Sequence, residues 1–313
     1  MQRASPSLHT RGTKAAGLGG PRTGHVVISY PTKGIRMANV PTVRLNNGVE
    51  IPQLGYGVFQ VEPDEVVEPV RTAIESGYRL IDTAAAYRNE AGVGKAIAEA
   101  GVPREELFVT TKLWNSHQGY DQALRAFDKS LERLGMEQVD LYLIHWPLPK
   151  RDTYVETWKA LEKIYADGRA RAIGVSNFTP RHLNRLLGET QVVPAVNQVE
   201  LHPRLPQEEL RDFHAGHQIV TEAWSPIGQG KGLLEDPTIT ALAEAKGKSP
   251  AQVVLRWHIQ LGNVVIPKSV TPSRIADNID VFDFELDVAD MAQLTGLASG
   301  ERVGPDPDEF DLA

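Results

Sequence analysis

Four polar side chains of this 313-residue chain stand at or just beyond short apolar runs. They are Asp82 and Tyr87 in YRLIDTAAAYRNE, Lys112 in LFVTTK, and His145 in VDLYLIHWP. A carboxylate, a phenol, an ammonium and an imidazole make a set for proton transfer. A buried lysine is costly unless paired, and Asp82 is the partner that neighbouring strand ends would supply. Near Tyr87, the ammonium favours the phenolate and is expected to lower the tyrosine pKa from about 10 toward working pH. Tyr87 is then a general acid toward a carbonyl oxygen, and His145 a group that orients that oxygen. Singly, each has a structural reading: Asp–Lys pairs tie strands together, and a histidine before Trp-Pro often satisfies a loop. Jointly, at three consecutive strand ends, the catalytic reading is the stronger.

Later strand ends are polar too. Ser176 and Asn177 follow a strand in AIGVSNF, and Gln198 lies in the next one. A hydroxyl with two amides can hold a carboxamide through paired donors and acceptors. Trp224 offers a flat face for a ring to stack on. Lys268, Ser269 and Arg274 in IPKSVTPSRIADN gather cations and a hydroxyl near a helix start, which suits a phosphate. Lys268 and Arg274 alone would read as a solvated loop. Around one mouth, the three features together describe a nicotinamide dinucleotide.

The elements that must position these groups are eight β-rich runs separated by amphipathic stretches. The runs are Gln53–Gly57, Arg79–Asp82, Leu107–Thr111, Val139–Ile144, Arg171–Val175, Ala195–Val199, Ile219–Ala223 and Val264–Ile266. Between them, Leu124, Phe127, Leu131 and Leu134 recur at helical spacing, and Ser249-Pro250 reads as a cap and first helical residue. Pro69 sits poorly in a helix begun at Asp64, so that helix is expected to kink or to start late. Alternation of this kind predicts an α/β fold, a (β/α)8 barrel of the TIM type, whose strand ends converge on one mouth. Asn46-Asn47-Gly48 between two apolar runs predicts an N-terminal β-hairpin, placed to close the bottom. A doubly wound sheet would want GxGxxG after its first strand; Gly55-Tyr56-Gly57 is too short and Gly92-Val93-Gly94 lies in a helical stretch.

Composition narrows the function classes. There is no cysteine, which removes thiolate metal sites, iron–sulfur clusters and a cysteine nucleophile. His214 and His217 lack a carboxylate cluster nearby, so no metal is expected. No apolar run is long enough to span a membrane, and a cytoplasmic monomer is expected. The first 36 residues carry six basic residues and no acid, which leaves 27 basic against 40 acidic residues in the remainder. A surface that acidic argues against a nucleic-acid partner and leaves a small molecule as the expected one. Residues 1–37 are read as a disordered extension or the product of a misplaced translation start, and 38–313 as one barrel domain.

With these residues in place, the chain resembles the aldo-keto reductase superfamily over residues 40–310. The motifs that carry the resemblance are GYRLIDTAAAYRNEAGVG, VPAVNQVELHP and VVIPKSVTPSRIADN. LGYGVFQV, VTTKLWN, WSPIGQGK, VLRWH and NIDVFDF are most similar to bacterial 2,5-diketo-D-gluconate reductases. The resemblance implies an NADPH-dependent carbonyl reductase without metal, with Tyr87 as acid, Lys112 and Asp82 tuning it, and His145 orienting the substrate. It implies Ser176, Asn177 and Gln198 on the carboxamide and Trp224 on the nicotinamide. It further implies Ser225 and Gly228 along the diphosphate, Lys268, Ser269 and Arg274 on the 2′-phosphate, and Asn278 on the adenine. Phe59, Trp114 and Trp146 are candidate pocket walls, with barrel packing as their alternative. Small aldehydes, dicarbonyls such as methylglyoxal, and keto sugars or acids such as 2,5-diketo-D-gluconate are the implied substrates. A regulatory or structural barrel that binds nucleotide with little turnover is the other reading.

Overall fold

The computed structural model describes residues 40–312; the expectation for segment 1–37 lies outside them. A short antiparallel hairpin, β1 (Thr42–Arg44) and β2 (Glu50–Pro52), precedes the barrel. Eight parallel strands follow: β3 (Tyr56–Gly57), β4 (Leu80–Asp82), β5 (Phe108–Leu113), β6 (Val139–Ile144), β7 (Ala170–Ser176), β8 (Val196–Glu200), β9 (Val220–Trp224) and β10 (Val264–Val265). Each expected strand is present, in order, with ends shifted by at most three residues and Val139–Ile144 unchanged. A parallel bridge between Leu54 and Val265 joins first to last and closes the barrel. Three backbone bonds reinforce it: Gly55 N to Val265 O, Val265 N to Gln53 O, and Gly57 N to Pro267 O.

The outer helices are α1 (Val67–Glu75), α2 (Glu90–Glu99), α3 (Tyr120–Leu134), α4 (Tyr154–Ala166), α5 (Pro180–Glu189), α6 (Glu208–Gly216), α7 (Pro237–Lys246), α8 (Pro250–Gln260), α9 (Pro272–Ile279) and α10 (Val288–Thr295). α1 starts late, so Pro69 falls in its first turn, where a missing N–H costs nothing. α8 opens on a capping box: Ser249 and Gln252 each accept the other's backbone N–H, and Pro250 follows the cap. Gly94 lies inside α2 as a packing residue, because a Cβ there would stand 2.1 Å from the Leu134 carbonyl oxygen at the end of α3. None of the described helices is long and apolar enough to cross a membrane.

Strand parity explains the site. Successive side chains alternate between the barrel interior and the helix layer. Leu80, Phe108, Leu141, Leu143, Ala172, Val196 and Val264 form one buried cluster with Leu45 and Ile51 of the hairpin. The hairpin therefore plugs the N-terminal end, where Asn46 and Asn47 side chains donate to the Pro194 and Arg171 carbonyls. Moving two residues along the same inner face replaces apolar by polar: Leu80 to Asp82, Leu143 to His145, Val196 to Gln198, Val220 to Glu222. The interior is thus an apolar plug capped at the C-terminal end by chemistry-bearing groups.

Candidate active site

Lys112 is fully buried near the end of β5 and commits its three ammonium hydrogens locally. Its Nζ donates to Asp82 Oδ1 at 2.6 Å and to the Thr83 carbonyl at 2.9 Å, and lies 3.4 Å from the Tyr87 hydroxyl. Tyr87 reaches this point from a 3-10 turn, Ala85–Tyr87, that follows β4. His145, the first residue after β6, places its ring edge-on to Tyr87 at 5.7 Å and to Trp114 at 5.3 Å. The expected Asp82, Tyr87, Lys112 and His145 are therefore brought together at one mouth.

The electrostatics hold Lys112 charged and His145 neutral. Burial alone would lower the lysine pKa, but Asp82 and Tyr87 outweigh it and the net shift is upward. Burial, and then the Lys112 charge, hold the His145 imidazole well below its ordinary pKa. Its Nδ1 has no partner among the described residues. Tyr87 departs from expectation: burial is the largest influence and raises its pKa, Lys112 pulls it down, and Asp82 and Glu222 push it up again. The net shift is upward, so the phenol stays protonated at neutral pH instead of moving toward working pH. Lys112 acts in the expected direction but does not overcome burial.

The amide belt is a closed network. Ser176 Oγ donates to the Gln198 carbonyl at 2.8 Å. Asn177 Nδ2 donates to the His145 carbonyl at 2.9 Å and to Ser176 Oγ at 3.1 Å, while its Oδ1 accepts from Trp224 Nε1 at 2.8 Å. Asn177 adopts φ +65°, a left-handed conformation that asparagine tolerates better than most residues. Gln198 Nε2 donates both hydrogens to carboxyl groups, Asp82 Oδ2 at 2.9 Å and Glu222 Oε2 at 3.0 Å. Sequence reasoning did not single out Glu222, although its parity with Val220 and Trp224 puts it on the inner face. Burial, with Asp82 adding to it, raises the Glu222 pKa to about 8, against the opposing pull of Gln198 and Lys112.

Beyond β10, Lys268 and Arg274 are exposed and have no ion-pair partner among the described residues. Arg274 stands in the first turn of α9, and Asn278, one turn on, is buried on the same side. The Ser269 backbone is fixed by Tyr56, whose hydroxyl donates to its carbonyl at 2.5 Å. Ser225, at φ +50°, accepts a bond from Gln229 and begins the turn that reaches Gly228. Gly228 has φ +76° and abuts Leu233, which leaves no room for a side chain.

Of the three expected pocket walls, Phe59 is 44% exposed and packs 5.2 Å from the Tyr87 ring, so it borders the opening. Trp114 is half-buried against His145. Trp146 is buried, and its ring packs at a tilt against Phe310, with centroids 4.3 Å apart. That contact belongs to a C-terminal segment that the sequence reading did not place. Glu200 accepts from the Val303 and Gly304 amides at 2.5 and 3.0 Å, and Asn115 Nδ2 donates to the Leu312 carbonyl at 2.6 Å. Gly304 fits because a Cβ there would lie 2.4 Å from the Trp224 ring. His214 and His217 are structural: His214 bonds Asn197 and Thr221 with its two ring nitrogens, and His217 stacks on Phe213.

The Aldo/keto reductase family model matches residues 53–299. The glyoxal reductase of Bacillus subtilis (strain 168) is 57% identical over 270 residues, 86% of this chain and 97% of that protein. The methylglyoxal reductase DkgA of Escherichia coli (strain K12) is 51% identical over 275 residues, 88% and 99% of the two chains. Among solved structures, a mutant of Gox0644 in complex with NADPH aligns with a TM-score of 0.84 and 47% identity, covering 87% of this chain and 99% of that one.

Proposed function

We propose that this chain, which belongs to the Aldo/keto reductase family, is an NADPH-dependent reductase of small carbonyl compounds, dicarbonyls such as methylglyoxal foremost. The observation that carries the reading is Lys112, buried, charged, and shared among Asp82, the Thr83 carbonyl and the Tyr87 hydroxyl. The names of the glyoxal and methylglyoxal reductases among the relatives favour dicarbonyls over 2,5-diketo-D-gluconate.

The donor set fits a nicotinamide dinucleotide. Gln198 commits its Nε2 to two carboxyl groups, which leaves Oε1 to meet an amide N–H. The Trp224 indole is oriented by its bond to Asn177 and backed by Gly304, ready to stack. Lys268 and Arg274, two exposed cations by a helix start, suit a phosphate. NADPH bound there supplies the hydride.

This chain's own residues supply the rest. Tyr87 delivers the hydroxyl proton to the carbonyl oxygen as negative charge develops on it. Lys112, held ammonium by Asp82, stabilises the resulting phenolate. His145 stays neutral, and in the tautomer with its proton on Nε2 it donates to the same oxygen. Phe59 packs beside Tyr87 and Trp114 beside His145, so both rings border the two groups that would meet the carbonyl.

The test is NADPH oxidation by purified protein against methylglyoxal, glyoxal, a simple aldehyde and 2,5-diketo-D-gluconate, with NADH in parallel. The expected result is turnover with NADPH and the highest kcat/KM among the dicarbonyls. NADPH binding without turnover of any carbonyl would overturn the reading in favour of a nucleotide-binding barrel.

A further inference from the structure

One buried side chain at the mouth is used by none of the steps above. Glu222 is fully buried in β9, directly across the parallel ladder from Gln198. Its Oε2 accepts from Gln198, and its Oε1 has no partner among the described residues. The groups that face it are Asp82 from β4, Lys112 from β5 and Tyr87 from the turn after β4; Val264, across the ladder in β10, is apolar. The local inventory is one cation for two buried carboxyl groups. Lys112 lies against Asp82, not Glu222. An ionised Glu222 would be a buried charge without a cation of its own and with one oxygen unsatisfied, a costly state. As a neutral acid it keeps an acceptor oxygen for Gln198.

We propose that Glu222 is a positioning residue: by sharing the Gln198 amide with Asp82, it couples the side chain that would hold the carboxamide to the Asp82–Lys112–Tyr87 relay. This rests on the reductase reading for its kinetic consequence, but the protonation state and the hydrogen bond stand apart from it. Two effects follow. Removing the carboxyl group leaves the Gln198 amide held by Asp82 alone and loosens its orientation at the carboxamide position. Ionising it places a second negative charge beside the relay, makes Tyr87 a weaker acid, and slows proton delivery. The sign is fixed by burial: Glu222 is neutral at low pH and loses its proton as pH rises through about 8.

The experiment has two arms. In the first, infrared difference titration of the wild-type protein without substrate should show a protonated-carboxyl stretch that bleaches as pH rises through about 8 and is missing in Glu222→Gln. In the second, wild-type kcat with NADPH and methylglyoxal should fall about tenfold between pH 7 and 9.5, as a second buried negative charge makes Tyr87 a poorer proton donor. Glu222→Gln should lack that limb, and Glu222→Leu should raise the KM for NADPH about tenfold, the loss of one oriented hydrogen bond. A titration with no such stretch, a Glu222→Gln pH profile superimposable on the wild type, or an unchanged KM in Glu222→Leu would overturn the proposal. Failure of the wild type to turn over would sink the reductase reading and leave the infrared arm to decide the state of Glu222.

Discussion

At the N-terminal end of the barrel, Asp140 accepts from Arg104 and the Val109 amide through Oδ2 and from Arg171 through Oδ1, at 2.7 to 2.8 Å. Two half-exposed guanidinium groups serve one buried carboxylate, so the charge is over-compensated and both oxygens are satisfied. At the C-terminal end, Lys112 divides its hydrogens among three acceptors, Gln198 bridges two carboxyl groups, and His145 Nδ1 and Glu222 Oε1 are left without partners. Buried polar groups are normally paired, so orphaned atoms beside a buried ammonium mark a site arranged for something other than stability. One end spends its charges on holding the fold; the other keeps them poised.

Perturbing the two ends should separate these roles. The largest effect is expected for Lys112→Met at the mouth. It leaves Asp82 buried without its cation, which costs about 3–5 kcal/mol of stability, and it removes the stabiliser of the phenolate, so kcat should fall at least about a hundredfold. Chemical denaturation and steady-state rates measure the two losses. Arg274→Ala should come next. It should weaken NADPH by about tenfold or more while barely changing NADH, as for a charge-assisted bond to the 2′-phosphate. Equal loss for both nucleotides would remove Arg274 from that role. The smallest effect on activity is expected at the bottom. Asp140→Asn should cost about 1–3 kcal/mol of stability and leave kcat within about twofold. A large kcat loss there would break the division between the two ends.

Much of this was legible in the residues. The eight strands announced themselves as β-rich runs bounded by turn residues, and Lys112 and His145 stood out because charge follows an apolar run. Three things were not legible, each because it depends on tertiary placement. The upward shift of Tyr87 comes from burial, which no spacing records. The C-terminal segment has no periodicity, and its contacts reach back to Asn115, Trp146 and Glu200, far away in sequence. Glu222 reads in the sequence as a lone acid in a strand; only its parity with Val220 and Trp224 signals the interior. Gly92-Val93-Gly94, by contrast, was correctly placed in a helix, where Gly94 permits the close approach of α3.

The proposed reduction turns on proton donation by Tyr87 from a relay held by Lys112 and Asp82. Stopped-flow oxidation of NADPH by methylglyoxal in a single turnover tests it most directly, in the wild type and in Tyr87→Phe, with nucleotide Kd measured for both by fluorescence. The expected rate in the variant is lower by about 10²–10⁴-fold, the usual contribution of a general acid, at a Kd within about twofold of the wild type. Equal rates in the two proteins would contradict it.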